Sequence, residues 1–177
     1  TFVSSAGKYI SMFEKKLSKF TKSKNVIAVL NGTIALQVAL KSLGIKKNDE
    51  VLIPTVTFVG TANAIKHCDA IPHFIDTSLN SLGISVEALD NYLKKIAIKK
   101  NKFLFNKKTK RRIFAIIPVH VFGHISKIDD LVKISKKYNL KMVEDGAEAL
   151  GSFYKNKHAG TFGDLGIISF NGNKIIT

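Results

Sequence analysis

Apolar residues recur along this chain in two alternating rhythms. One is a spacing of three or four that marks an amphipathic helix, the other a short unbroken run that marks a buried strand. Ile10, Phe13, Leu17 and Phe20 predict a helix over 9–20, and residues 25–30 read as a strand. Asn31-Gly32-Thr33 turns that run into a helix carrying Ala35, Leu36, Ala39, Leu40 and Leu43, which Gly44 ends. A strand over 51–54, a helix through Ala62 and Ile65, and a strand over 71–76 follow. Ser85 is placed to cap a helix reaching to about residue 98, with Glu87 in its first turn. Residues 113–119 make a further strand, and Ile128, Leu131, Val132 and Tyr138 form the apolar face of a helix. The run 140–143 is the last strand of the series, closed by Glu144-Asp145. Strands alternating with helices predict an α/β fold, three layers with a mostly parallel sheet and helices on both faces. Ligands of such sheets gather at the carboxyl ends of the strands. Asn31-Gly32-Thr33, His120 and Asp145 all fall at such ends.

The basic residues interrupt the pattern once. Residues 99–112 hold eight of the 28 Lys and Arg and no acid, more than half of the net charge of +15. Clustered cations around Phe103, Leu104 and Phe105 fit a nucleic-acid-binding module. A hairpin that packs its apolar centre accounts for them equally simply and is the reading adopted, with no nucleic-acid partner. At 177 residues and 45% apolar content, one domain with a substantial core is expected. The apolar runs fall short of the roughly 18 residues that span a bilayer, so a soluble cytoplasmic protein with no membrane partner is expected. Cys68 is the only cysteine, which excludes an intrachain disulfide and predicts a buried, inert thiol. His120 and His124 flank Phe122-Gly123 without a third ligand at suitable spacing, so no metal site is assigned. His120 is expected in the wall of a ligand site and His124 in solvent.

Three short elements suggest chemistry together. Lys174 offers an amine that can condense with an aldehyde, and Asp145 offers a carboxylate that can keep a ring nitrogen protonated. Asn31-Gly32-Thr33 opens a helix whose first N–H groups suit a phosphate. The combination describes a site for pyridoxal 5'-phosphate, with Lys174 also able to carry a proton between substrate and cofactor carbons. Side chains alternate along a strand, so only one of Glu144 and Asp145 can face the ligand, and Asp145 is chosen. Phe58 can cover one face of the ring.

Six segments in order carry a resemblance: Asn31-Gly32-Thr33, residues 54–64 (PTVTFVGTANA), 118–123 (PVHVFG), 144–148 (EDGAE), 160–164 (GTFGD) and 169–174 (SFNGNK). The chain resembles the DegT/DnrJ/StrS family of sugar aminotransferases over nearly its whole length. The resemblance implies the aspartate aminotransferase type of fold, pyridoxal phosphate, a nucleotide-linked 4-keto-6-deoxy sugar as acceptor and glutamate as amino donor. It also implies roles for single residues. Gly32, Thr33 and Ser169 hold the phosphate, Phe58 stacks on the ring, and Asp145 meets its nitrogen. Glu148 lies near the ring hydroxyl, and Lys174 carries the aldehyde. Asn31, Gly146 and Glu148 depart from the Ser, Ala and Gln or His that many members have there. The basic segment and Phe-Asn-Gly-Asn-Lys are similar to the branch serving bacillosamine and legionaminic acid pathways, which favours UDP-4-keto-6-deoxy-N-acetylhexosamine as substrate. Related dehydratases have histidine at the lysine position, so Lys174 favours amino transfer over dehydration or a silent relative. Members are roughly twice as long and homodimeric. The chain is therefore expected to be a fragment, residues 1–177 forming part of the large domain without the C-terminal small domain, and inactive alone.

Overall fold

The structure is a computed structural model and describes residues 7–177. Five helices and nine strands follow one another as α1 (Lys8–Thr21), α2 (Gly32–Ser42), β1 (Glu50–Pro54), α3 (Val59–Lys66), β2 (Ile71–Ile75), α4 (Val86–Ile96), β3 (Ala97–Lys100), β4 (Phe103–Asn106), β5 (Arg112–Ile116), α5 (Ile128–Tyr138), β6 (Lys141–Asp145), β7 (Phe153–Tyr154), β8 (Lys157–His158) and β9 (Leu165–Ile167). Strands β2, β1, β5, β6 and β9 lie side by side in that order, and each neighbouring pair is parallel. The predicted mostly parallel sheet is thus present.

Alternation along each strand feeds two cores. Val51 and Ile53 of β1 join Leu36 and Leu40 of α2 and Ala64 and Ile65 of α3 on one face. Leu52 joins Leu89 and Leu93 of α4 and Leu131 and Ile134 of α5 on the other. Each leucine buried this fully contributes about 1.5–3 kcal/mol. Ser85 caps α4 by accepting from Ala88 N–H at 3.3 Å, and Asp129 and Asp130 occupy the first turn of α5. Asn139 ends α5 in the left-handed conformation at φ 55°.

The basic segment is a hairpin: β3 pairs antiparallel with β4, and β4 with the first residues of β5. Leu104 is buried beneath it, whereas Phe103 faces outward, 41% exposed. The helix predicted to reach residue 98 stops at Ile96, where the chain passes directly into β3.

Residues 25–30 are not a strand. They run outside any ladder, with Ile27 79% and Leu30 86% exposed, and Ala28 N–H is held by Glu14 Oε1 at 2.9 Å. An apolar run becomes a strand only where a neighbour supplies hydrogen bonds, and none among the described residues does so. Cys68 is buried and His124 exposed, as expected. No helix among the described residues is long and apolar enough to cross a membrane.

Candidate active site

Four chain segments converge at the carboxyl edge of the parallel strands. Asn31 starts α2 by accepting from Ile34 N–H at 2.9 Å through its side chain, and its carbonyl takes Ala35 N–H. Among the described residues, the N–H groups of Gly32 and Thr33 have no partner at this helix end. The segment after β9 comes alongside, so that a Cβ on Gly32 would lie 3.7 Å from Ser169 Cβ. The start of α3 closes against the same end. A Cβ on Gly60 would fall 2.8 Å from Thr33 Oγ1 and 2.9 Å from Phe58 Cδ1, so only glycine allows the two helices to approach this closely.

Asp145 ends β6 and is 5% exposed. Thr61 Oγ1 donates to its Oδ2 at 2.7 Å and Ala147 N–H to its Oδ1 at 3.2 Å. Burial pushes its pKa above the ordinary carboxylate value, and the bonds from Thr61 and Ala147 and the nearby charge of Lys174 draw it only partway back. Phe58, immediately before α3, keeps its ring 70% exposed, and Lys174 Nζ lies 5.8 Å from that ring's centroid. Glu148 Oε1 accepts from Lys174 Nζ at 3.0 Å, and its Oε2 accepts Phe122 N–H at 2.9 Å. Gly32, Thr33, Phe58, Asp145, Glu148, Ser169 and Lys174 are therefore linked through these contacts to a single strand-end region.

The sequence reading missed Thr61 and misplaced His120, while Glu144 and Asp145 point to opposite sides as it expected. Thr61, one helical turn beyond Phe58, connects Thr57 to Asp145 through its hydroxyl, at 2.9 Å and 2.7 Å. A hydroxyl one turn after a ring-covering residue in PTVTFVGT was the available signal. Glu144 faces away from Asp145. It accepts Gly160, Phe162 and Gly163 N–H and pairs with His120 Nε2 at 3.0 Å. His120 is not a site-wall residue: its side chain is fully enclosed beside Glu144, and Nδ1 has no hydrogen-bond partner. The Pro118-Val119-His120 backbone carries it inward, because His120 N–H bonds to Asp145 O and Asp145 N–H to Pro118 O.

Comparison with known proteins places this geometry. The model of the DegT/DnrJ/EryC1/StrS aminotransferase family matches residues 1–177. The chain belongs to that family. It is 40% identical to a GDP-perosamine synthase of Escherichia coli O157:H7 over 177 residues, all of this chain and 44% of the relative. A DegT DnrJ EryC1 StrS aminotransferase from Brucella abortus superposes with a TM-score of 0.84 at 32% identity, over 95% of this chain and 43% of that one. NtdA from Bacillus subtilis, solved with bound cofactor PMP, gives 0.80 at 27% identity over 97% and 35%. The chain thus spans less than half the length of the curated relative it matches. The fold is that of the pyridoxal phosphate-dependent aminotransferases, and pyridoxal phosphate is the family's cofactor.

The residues present suit that group. Asp145 is a buried acid whose charge lacks full compensation, the environment in which a cationic ring nitrogen is favourable. The exposed ring of Phe58 offers a flat apolar face, and the α2 N-terminus offers N–H groups with no acid in its first turn.

Proposed function

We propose that this chain carries the cofactor-binding part of an aminotransferase that aminates a nucleotide-linked 4-keto-6-deoxy sugar, with glutamate as amino donor. The observation that supports this most is the amine of Lys174, held by Glu148 against the Phe58 ring and close enough to Asp145 to act on its ionisation. Gly32, Thr33 and Ser169 hold the phosphate on this reading, Phe58 covers one face of the ring, and Glu148 lies at its hydroxyl edge. Asp145, fixed by Thr61, keeps a proton on the ring nitrogen. Bound pyridoxal phosphate supplies an electron sink that makes a neighbouring C–H bond acidic. With that group bound, Lys174 Nζ would be the base placed to take that proton and return it. Residues 1–177 act as part of a large domain, and a small domain and a second subunit complete the sugar site.

For the carrier we favour guanosine diphosphate, because a 40% identical relative is named for a GDP-sugar product. The uridine-linked N-acetylhexosamine favoured by the sequence motifs is the competing substrate. The test offers GDP-linked and UDP-linked 4-keto-6-deoxy sugars with glutamate to the purified full-length protein that contains this chain and weighs the products by mass spectrometry. An amino sugar from one carrier, lost in Lys174→Ala, is expected. Deoxygenated sugar without nitrogen would establish a dehydratase instead, and undiminished amino sugar from Lys174→Ala would remove Lys174 from the chemistry.

A further inference from the structure

Glu148 is clamped from both ends. Its Oε1 meets Lys174 Nζ at 3.0 Å, while its Oε2 holds Phe122 N–H at 2.9 Å. Phe122 takes a left-handed backbone, φ 51° and ψ 27°, which a non-glycine residue adopts only when its surroundings impose it. Gly123 packs so tightly beside it that a Cβ would lie 2.9 Å from Glu148 O. This carboxylate is therefore a fixed partner of the amine. Burial raises its pKa, but the bond from Lys174, the Phe122 N–H and the Lys174 charge outweigh that and bring it below the ordinary value, so it is ionised at neutral pH.

We propose that Glu148 keeps a proton on the nitrogen of the carbon–nitrogen double bond that Lys174 makes with the cofactor aldehyde. The proposal rests on the reading of Lys174 as the attachment point. Nζ begins with three hydrogens. Glu148 Oε1 takes one, the neutral amine adds to the aldehyde carbon, and an N–H proton passes to the aldehyde oxygen. The carboxyl then returns its proton to that hydroxyl, the C–O bond breaks and water leaves. The nitrogen lone pair closes the double bond with one hydrogen still in place. Nitrogen carries the positive charge at the start and at the end and is neutral while the carboxyl holds the proton, and Glu148 ends as the carboxylate that it was. A Gln at this position supplies no such charge, so the departure at residue 148 has a chemical consequence.

The charged groups near Nζ are Glu148 in the turn after β6 and Asp145 at the end of β6, and the residue before α3 brings the uncharged Phe58 ring. Glu148 in turn faces Lys174 and the Phe122 N–H.

The test titrates the visible absorbance of the protein loaded with pyridoxal phosphate, without substrate, since this band reports the proton on the nitrogen. An opposite charge in contact shifts a titration by about 1–3 units. The Glu148 side chain is 38% exposed, which takes the low end. Glu148→Gln is therefore expected to lower the midpoint by about one pH unit, a tenfold loss of proton affinity. Glu148→Asp, charged but shorter, should fall between. A midpoint that is unmoved or raised in Glu148→Gln overturns the proposal. Glu148→Ala serves if the Gln variant does not fold. Should neither fold, Glu148→Asp decides, with a midpoint below the parent's expected and an unmoved or raised midpoint counting against the proposal. A protein that forms no visible band at any pH, with no cofactor fixed to Lys174 by borohydride, defeats the attachment reading itself, a separate result.

Discussion

Glu144→Ala should destabilise this protein more than loss of an average buried side chain would. Glu144 is fully buried, and four donors converge on its two oxygens. Phe162 and Gly163 N–H reach Oε1 at 2.5 and 2.7 Å, while Gly160 N–H and His120 Nε2 reach Oε2 at 2.9 and 3.0 Å. Truncation to alanine leaves all four without their acceptor. Each such orphaned donor costs about 1–3 kcal/mol, so the loss is roughly 4 kcal/mol even at the low end. Against a whole-protein stability of about 5–15 kcal/mol that is a large fraction. Glu144→Gln should cost less. The amide oxygen replaces one carboxylate oxygen, and His120 can change tautomer and accept from the amide NH2, which leaves one backbone N–H opposed. The expected loss there is about 1–3 kcal/mol. Denaturant unfolding of the three proteins gives the ranking, and hydrogen exchange at Gly160, Phe162 and Gly163 shows where protection is lost first. A Glu144→Ala protein within about 1 kcal/mol of the parent, with those amides still protected, would refute the reasoning.

Asp145→Asn should separate stability from chemistry. Asp145 has a raised pKa when folded, so its contribution to stability is greatest below the unfolded carboxylate value and declines as pH rises through the folded one. The asparagine variant, freed of that buried charge, should melt higher than the parent at neutral pH without cofactor, yet lose roughly 10²-fold or more in turnover, and a lower melting temperature in cofactor-free protein would contradict this. Asp90 has the opposite sign. It joins α4 to α5 through Lys137 at 2.6 Å and Tyr138 at 3.2 Å, also meets Lys94 at 2.7 Å, and these hydrogen bonds lower its pKa to about 2. The stability it adds is present above the ordinary aspartate value and is lost as pH falls from there through about 2. Asp90→Asn should cost about 1 kcal/mol at neutral pH and flatten the acid limb of a pH–stability curve, and an unchanged limb would show that Asp90 is not its source.

What could be read from the sequence was local, and what escaped it was pairing. The helices announced themselves through spacing and caps. Ser85 bonds Ala88 N–H, Gly44 takes φ +89° after α2, and Leu89 and Leu93 share a buried face. The parallel sheet followed from the alternation of strands with helices, whereas the order of its strands was not predicted. Residues 25–30 had the apolar content of a strand, but a strand is a relation between two segments and a single run carries no record of its neighbour. Thr61's role and the donors that hold Glu144 escaped for the same reason: the partners lie 84 and at least 16 positions away in the chain. His120 was misjudged because its place at a strand end says nothing about which way the ring turns once Pro118 and Asp145 have locked the backbone.

The adjacent acids Glu144 and Asp145 show how one strand end can serve two purposes. Alternation sends their side chains to opposite sides, so the same two residues face environments that differ in donor supply. Glu144 has three backbone N–H donors and an imidazole, enough to satisfy a carboxylate without any ligand. Asp145 has only one hydroxyl and one backbone N–H, and burial makes its ionisation unfavourable. An acid that is fully satisfied by its own chain has little left to give a ligand, whereas one left short gains from a cation. The imbalance between the two carboxylates supports the proposed assignment of Asp145 rather than Glu144 to the ligand. It also explains why exchanging the two roles by mutation should fail: the donors that satisfy Glu144 are fixed in the 160–163 turn, on the side of the strand that Asp145 does not face.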